Sequence, residues 1–251
     1  MSFFAALRFL TILPILRRRE VAPEELARST GYFPLVGLII GLILAGAYWL
    51  LQFILPSNVV GGLLLVGVAV LSGGLHLDGF VDTMDGIGGH KTAKARWQVM
   101  RDSRAGAFGI AGVFLLLLVK YASLTSVPPT VMMPTLVLMP TLSRWAMVYA
   151  VFAYPYARPS GLGTVFKEGV NRRRLLIATA IALAVAIPLF RLAGLVIMLG
   201  VWLTTLAMAY YLKGKFSGLT GDTYGAINEV GEVTALIMVC LLTHNQWLGL
   251  A

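Results

Sequence analysis

Residues 33–55 read FPLVGLIIGLILAGAYWLLQFIL. The stretch carries no charged side chain, and about 20 apolar residues suffice to cross the hydrocarbon core of a bilayer. It therefore reads as a membrane-spanning helix. After Pro56-Ser57-Asn58 a second apolar stretch runs from Val59 to about Leu77, and a third from near Phe108 to about Leu124. A fourth covers Val131 to Ala153, with Pro134 and Pro140 as expected kinks. A short fifth runs from Leu175 to Phe190, a sixth from Leu192 to Leu212, and a last from Ala226 to Leu242. The fold class that follows is an all-α integral membrane protein of about seven transmembrane helices. Residues 1–251 form one polytopic membrane domain. The opening stretch, Phe3 to Leu16, is too short to span and is interrupted by Arg8 and Pro14, so it is expected to be an interfacial or re-entrant helix. It does not read as a secretory signal: no basic region precedes it and no small-residue cleavage site follows.

Composition agrees. Hydrophobic residues make up 58% of the 251, and charged residues only 12%, about half the share of a soluble domain; mean hydropathy is +0.84. The single cysteine, Cys240, excludes an internal disulfide and a Cys-based metal cage. The net charge of +9 would suggest nucleic acid in a soluble protein. Here it is a topology signal, because cytoplasmic loops of membrane proteins hold the excess cations. Arg17, Arg18, Arg19 and Arg28 precede the first span. Lys91, Lys94, Arg96, Arg101 and Arg104 follow the second; Arg158, Lys167, Arg172, Arg173 and Arg174 follow the fourth; Lys213 and Lys215 follow the sixth. Sixteen of 20 cations thus fall on one side of a seven-span chain. The N-terminus and these loops are expected in the cytoplasm.

The acids are scarcer and more telling. Beyond the N-terminal Glu20, Glu24 and Glu25, eight remain. Asp78, Asp82, Asp85 and Asp102 lie at the end of the second span and in its following loop, while Asp222, Glu229 and Glu232 open the seventh; only Glu168 lies elsewhere. Ionisable groups at membrane depth are costly and usually functional. In His76-Leu77-Asp78-Gly79-Phe80-Val81-Asp82-Thr83-Met84-Asp85-Gly86 the aspartates recur at i, i+4 and i+7, one face of a helix. Carboxylates stacked in that way call for a cation between them. Oxygen-only ligands favour a hard ion, Mg²⁺ first, with Mn²⁺ or Ca²⁺ as substitutes. Asp222 and Glu229, seven apart, would supply a second half of the site, and Glu232 either joins them or pairs with a cation of another span.

Arg101-Asp102-Ser103-Arg104-Ala105-Gly106 suits phosphate oxygens, which guanidinium groups grip bidentately. Arg144 sits well inside the fourth span and needs an acid or an anionic substrate beside it. Lys120, nearer the far end of its span, is expected to snorkel to the headgroups. His76 is a candidate base or ligand, whereas His90, among loop cations, and His244, in the tail, attract no role. Clustered acids, a divalent metal and arginines at one membrane face suit displacement at phosphorus, a carboxylate positioning or deprotonating a hydroxyl nucleophile. The residues alone supply no substrate.

At these same blocks the chain resembles the cobalamin synthase (adenosylcobinamide-GDP ribazoletransferase) family. The matching blocks are Phe33-Pro34-Leu35-Val36-Gly37, His76-Leu77-Asp78-Gly79 with Asp82-Thr83 and Asp85-Gly86, Met100-Arg101-Asp102-Ser103-Arg104 with Gly106, and Ser143-Arg144. Tyr156-Ala157-Arg158, Gly161-Leu162-Gly163, and Thr220-Gly221-Asp222-Thr223 with Gly225, Glu229 and Glu232 complete the set, in order along nearly the whole chain. The resemblance implies a Mg²⁺-dependent multi-pass enzyme of the bacterial cytoplasmic (inner) membrane. It would join adenosylcobinamide-GDP to α-ribazole or its 5′-phosphate, releasing GMP, late in cobalamin synthesis. Small molecules and the bilayer would be its partners, with no nucleic acid; a homo-oligomer is compatible with it. Asp78, Asp82, Asp85 and Asp222 are then the expected metal ligands, Glu229 an alternative to Asp222. Asp82, Asp85 and His76 are the catalytic candidates, and Arg101, Asp102, Ser103, Arg104, Arg144 and Glu229 the substrate-binding ones. Two other readings are weaker. The longer aspartate pattern of CDP-alcohol phosphotransferases is missing, and an ion-coupled transporter would place its charges at the midplane and show related halves.

Overall fold

The computed structural model describes residues 2–14, 21–89 and 92–246. Arg17, Arg18, Arg19, Glu20, His90 and Lys91, which entered the readings of charge and of histidines, lie outside the described residues. Among these the chain is helical, with no strand beyond one isolated bridge between Tyr156 and Leu219. The helices are α1 (Ser2–Leu10), α2 (Pro23–Ser29), α3 (Phe33–Leu51), α4 (Ser57–Leu71), α5 (Leu75–Ile87) and α6 (Ala93–Val99). They continue with α7 (Ala107–Ser126), α8 (Pro129–Ala153), α9 (Leu162–Gly169), α10 (Arg172–Phe216) and α11 (Gly221–His244).

Among the described residues five helical segments are long and apolar enough to cross a membrane: residues 23–51, 107–126, 129–153, 172–216 and 221–244. A sixth is added if α4 and α5, bent by 89° at their junction, count as one. One boundary differs from the sequence reading. The second apolar stretch does not continue to Leu77; it stops at Leu71, where Gly73 and Gly74 adopt left-handed backbone (φ 62° and 70°) that glycine enters without steric cost. The aspartate-bearing α5 is therefore a separate helix. The fifth and sixth stretches follow each other within α10, 45 residues in all, and meet at Arg191 as the sequence reading has it. At 1.5 Å per residue α10 would be about 67 Å long, twice a bilayer core. It does not run straight: Arg191 has non-helical backbone (φ 51°, ψ −129°), and Gly194 comes so close to the Ala186 carbonyl that no Cβ would fit. The chain doubles back there.

α8 is the hub. Almost every side chain from Leu136 to Val148 is buried, and α3, α10 and α11 pack around it. Outward faces carry exposed apolar residues instead, among them Leu42 and Leu50 of α3, Phe114 and Leu118 of α7, and Leu199 and Leu203 of α10, as lipid contact requires. α5 lies against α11 with their backbones almost touching. A Cβ on Gly79 would lie 2.8 Å from the Asp222 carbonyl oxygen, and one on Gly225 would lie 3.1 Å from that of His76.

The core between α5, α7, α8 and α11 is charged. Lys120 Nζ of α7 lies 2.8 Å from Glu229 Oε2 and 2.5 Å from Glu232 Oε2, both on α11. Arg144 of α8 pairs with the other oxygen of Glu232, and its Nη2 lies 3.3 Å from His76 Nδ1 on α5. Ser143 Oγ accepts from Arg144, and Asn228 Nδ2 donates to Glu232. Lys120 therefore does not snorkel; at 2% exposure it is as enclosed as Arg144. Two cations meet two carboxylates, so the cluster is neutral as a unit, and removing one member leaves an uncompensated buried charge, at about 3–5 kcal/mol. Lys120→Met is thus expected to lower the unfolding temperature in detergent sharply. The charge-balanced double variant Lys120→Met/Glu229→Gln should recover most of the loss. Equal destabilisation of both would contradict the pairing.

Candidate functional site

The α5–α11 contact opens at one end into a cavity of about 450 Å³. Its lining divides by exposure. Asp78 and Arg101 are exposed and Arg158 and Asp222 partly so, whereas Phe33, His76, Met147, Val151, Phe166 and Tyr224 are buried. Charged groups thus form a mouth, and apolar and aromatic groups a floor.

Local structure sets the mouth. Thr220 caps α11: its hydroxyl accepts from Thr223 N–H while the Thr223 hydroxyl accepts from Thr220 N–H. This fixes the helix start and puts Asp222 in its first turn. The loop after α8 is strapped to the same point, because Ala157 N–H donates to Leu219 O (2.7 Å) and Leu219 N–H to Pro155 O (2.8 Å). That strap delivers Arg158, whose Nη2 lies 2.9 Å from Asp222 Oδ2. Asp78 enters from α5, one residue before the Gly79–Asp222 contact, and Arg101 from the α6–α7 loop. Asp82, half-buried one turn further along α5, is within electrostatic reach of Asp78, Asp222 and Arg158. Burial pushes the Tyr156 phenol in the strapped loop above its ordinary range, so it stays protonated.

Other sequence candidates lie elsewhere. Asp85 does not line this cavity. Its carboxylate is buried and accepts from Gly106 N–H and Gly109 N–H, each at 2.7 Å, which satisfies two of the amides that a helix start leaves without partners. It is the cap of α7. Asp102 and Arg104 form an exposed bidentate pair (Nε to Oδ1 3.0 Å, Nη2 to Oδ2 2.8 Å), and those bonds hold the Asp102 carboxyl down at about 2. They share a second, shallower cavity with Asp85 and Gly106. Ser103 is exposed in the same loop. Arg144 and Glu229 are spent in the buried charge cluster and do not line the main cavity; His76 touches both, its Nδ1 on Arg144 and its ring at the cavity wall.

Of the four expected metal ligands, Asp78 and Asp222 line the cavity, Asp82 stands beside them, and Asp85 is committed to amides. Among the described residues no three His, Cys, Asp or Glu side chains converge to hold an ion by themselves. Arg158 and Tyr224 were missed as site residues from sequence. Arg158 had counted only as a loop cation, although the Tyr156-Ala157-Arg158 block flagged it.

The chain matches the family model described as cobalamin-5-phosphate synthase over residues 2–240. Among its relatives is the adenosylcobinamide-GDP ribazoletransferase of Syntrophobacter fumaroxidans, 40% identical over 240 residues, covering 93% of this chain and 96% of the relative. Those of Desulforamulus reducens and Roseiflexus sp. are each 37% identical, over 244 and 236 residues. The first covers 96% of both chains, the second 94% of this chain and 88% of the relative. No solved structure matches the chain.

Asp78 and Asp85 of α5 are separable by stability. Asp85→Ala leaves two helix-start amides unpaired, at about 1–3 kcal/mol, and should visibly lower the unfolding temperature in detergent. Asp78→Ala, on an exposed rim, should leave it within about 0.5 kcal/mol of the parent. Equal effects would contradict the assignment of Asp85 as a cap.

Proposed function

The chain belongs to the cobalamin-5-phosphate synthase family, and from that premise we propose how the cavity works. The reaction is ribazole transfer late in cobalamin synthesis: the cobinamide phosphate of adenosylcobinamide-GDP passes to α-ribazole, or to its 5′-phosphate, and GMP leaves. The single observation that carries the site reading is the mouth, where Asp78, Arg101, Arg158 and Asp222, from four separate segments, surround one opening. Arg101 and Arg158 grip the diphosphate, a planar-fork contact that a guanidinium makes best. The ribazole 3′-hydroxyl attacks the phosphorus bonded to cobinamide. Its P–O bond forms as the P–O bond to GMP breaks, and Asp82, beside the mouth, takes the hydroxyl proton.

Mg²⁺ fits the donor set through two carboxylates rather than through the four expected. It is commonly held by one or two carboxylates together with substrate phosphates, and Asp78 and Asp222 are the carboxylates that line the cavity. Bound there, it would neutralise phosphoryl oxygens as the leaving charge develops. The doubled-back α10 and the bent α4–α5 pair support seven crossings, with the N-terminus and the catalytic mouth on the cytoplasmic side of a bacterial inner membrane. The cation-rich loops carrying Arg101, Arg158 and Arg172 to Arg174 favour that orientation.

Purified protein in phospholipid vesicles is expected to release GMP only with adenosylcobinamide-GDP, α-ribazole and Mg²⁺ all present. Asp82→Ala, Arg158→Ala and Asp222→Ala should each lower kcat/KM at least about 100-fold. Near-normal turnover in these variants would refute the site assignment. For topology, an alkaline phosphatase fused after His244 should be active, and a fluorescent protein fused there dark; the reverse would refute seven spans with a cytoplasmic N-terminus.

A further inference from the structure

The mouth accounts for the phosphates, but most of the cavity wall is something else. Below the charged rim, Phe9 of α1, Phe33 of α3 and Phe166 of α9 meet with ring centroids 4.8 to 6.3 Å apart. Tyr156 of the strapped loop stacks on Tyr224 of α11, centroids 6.4 Å apart and planes 26° from parallel. All five rings line the cavity.

Three polar atoms in the cavity lining have no hydrogen-bond partner among the described residues: Arg158 Nε at the mouth and, below it, Tyr224 Oη and His76 Nε2, on side chains 3% and 1% exposed. Buried polar groups are nearly always paired, so each lacks something that the protein does not supply. The His76 atom is a donor. Arg144 Nη2 lies 3.3 Å from Nδ1, and a guanidinium can only donate. Nδ1 must accept, and the neutral ring then carries its hydrogen on Nε2. His76 therefore offers a hydrogen bond at Nε2, whereas from sequence it was a candidate base or ligand.

Resting on the transferase reading, we infer that this floor is the acceptor subsite. It takes the ribazole nucleoside, its flat bicyclic base among the five rings and its heteroatoms on Tyr224 Oη and His76 Nε2. Size favours this substrate. A nucleoside of about 20 non-hydrogen atoms suits a cavity of 450 Å³, near the small end of ligand sites, whereas a corrinoid with its GDP tail is several times larger. Chemistry points the same way. A benzimidazole base is apolar with one free ring nitrogen, and an aromatic floor with two polar atoms matches it. Guanine carries donors and acceptors along a whole edge, and this floor would leave most of them unpaired. The corrinoid then stays outside, and only its diphosphate tail enters the mouth. The nucleoside occupies the floor with its ribose toward the rim, which brings its 3′-hydroxyl to Arg101, Arg158 and Asp222. α1 becomes a wall of the acceptor site through Phe9.

Tyr224→Phe is the cleanest test, since it removes only an oxygen without a partner among the described residues and should not lower the unfolding temperature. Equilibrium binding of radiolabelled α-ribazole and the KM of each substrate are measured on the full-length protein in vesicles. The expected result is a rise of about 10-fold in both Kd and KM for α-ribazole, with kcat and the KM for adenosylcobinamide-GDP within about twofold. Phe166→Leu should act in the same direction. Unchanged α-ribazole binding in Tyr224→Phe, or a rise confined to adenosylcobinamide-GDP, would overturn the subsite. If the parent binds α-ribazole and Tyr224→Phe weakens it, but neither releases GMP with both substrates, the transferase reading fails while the slot stands.

Discussion

Four full charges sit inside a protein whose surroundings are hydrocarbon, and the fold is arranged so that none is alone. Lys120, Arg144, Glu229 and Glu232 close into one neutral cluster that joins α7, α8 and α11. Each stray charge at such depth would be expensive, so the three helices have one register in which all four are satisfied. A polar cluster of this kind fixes relative position more sharply than apolar packing does, because sliding α11 by a turn separates every pair. Lipid-facing leucines offer no such discrimination.

That constraint reaches the cavity in two steps. Arg144 extends from the cluster to His76, so α5 is registered by the same charges. The close Gly79–Asp222 and Gly225–His76 approaches then hold the N-terminal half of α5 against the first turn of α11. Asp78 and Asp222 consequently face one opening although 144 residues separate them in sequence. Asp85 completes the arrangement from the other end, tying the end of α5 to the start of α7. In this division of labour the acids buried deepest hold helices together, and Asp78 and Asp222 at the rim line the cavity. The Glu232 and Asp222 of one short motif fall on opposite sides of the division.

Sequence patterning carried the architecture well. Apolar stretches located the long helices, and the clustering of acids located the end where α5, α7 and α11 meet, because both depend on local composition. What it missed depends on neighbours distant in sequence. The i, i+4, i+7 spacing put Asp78, Asp82 and Asp85 on one helix, but only tertiary packing decides that α7 begins beside Asp85 and uses it up. Lys120 was read by its depth along a span. Whether it snorkels or is enclosed depends on Glu229 and Glu232 lying opposite at the same depth, which no pattern within α7 reveals. The bend at Gly73–Gly74 was hidden by an apolar run that continued across it. Arg158 looked like one more cytoplasmic cation until the Ala157–Leu219 strap placed it on Asp222.

Functionally, the enzyme takes one small acceptor and one very large donor, and the cavity has the dimensions of the former with a charged mouth fit for the tail of the latter. The most direct measurement is a cryo-electron microscopy density of the protein with adenosylcobinamide-GDP bound. Phosphate density between Arg101 and Arg158, above Asp78 and Asp222 and with the corrinoid outside the cavity, is what this account predicts. Phosphates seated instead on Arg104 in the shallower cavity beside Asp85, or a corrinoid within the aromatic floor, would contradict it.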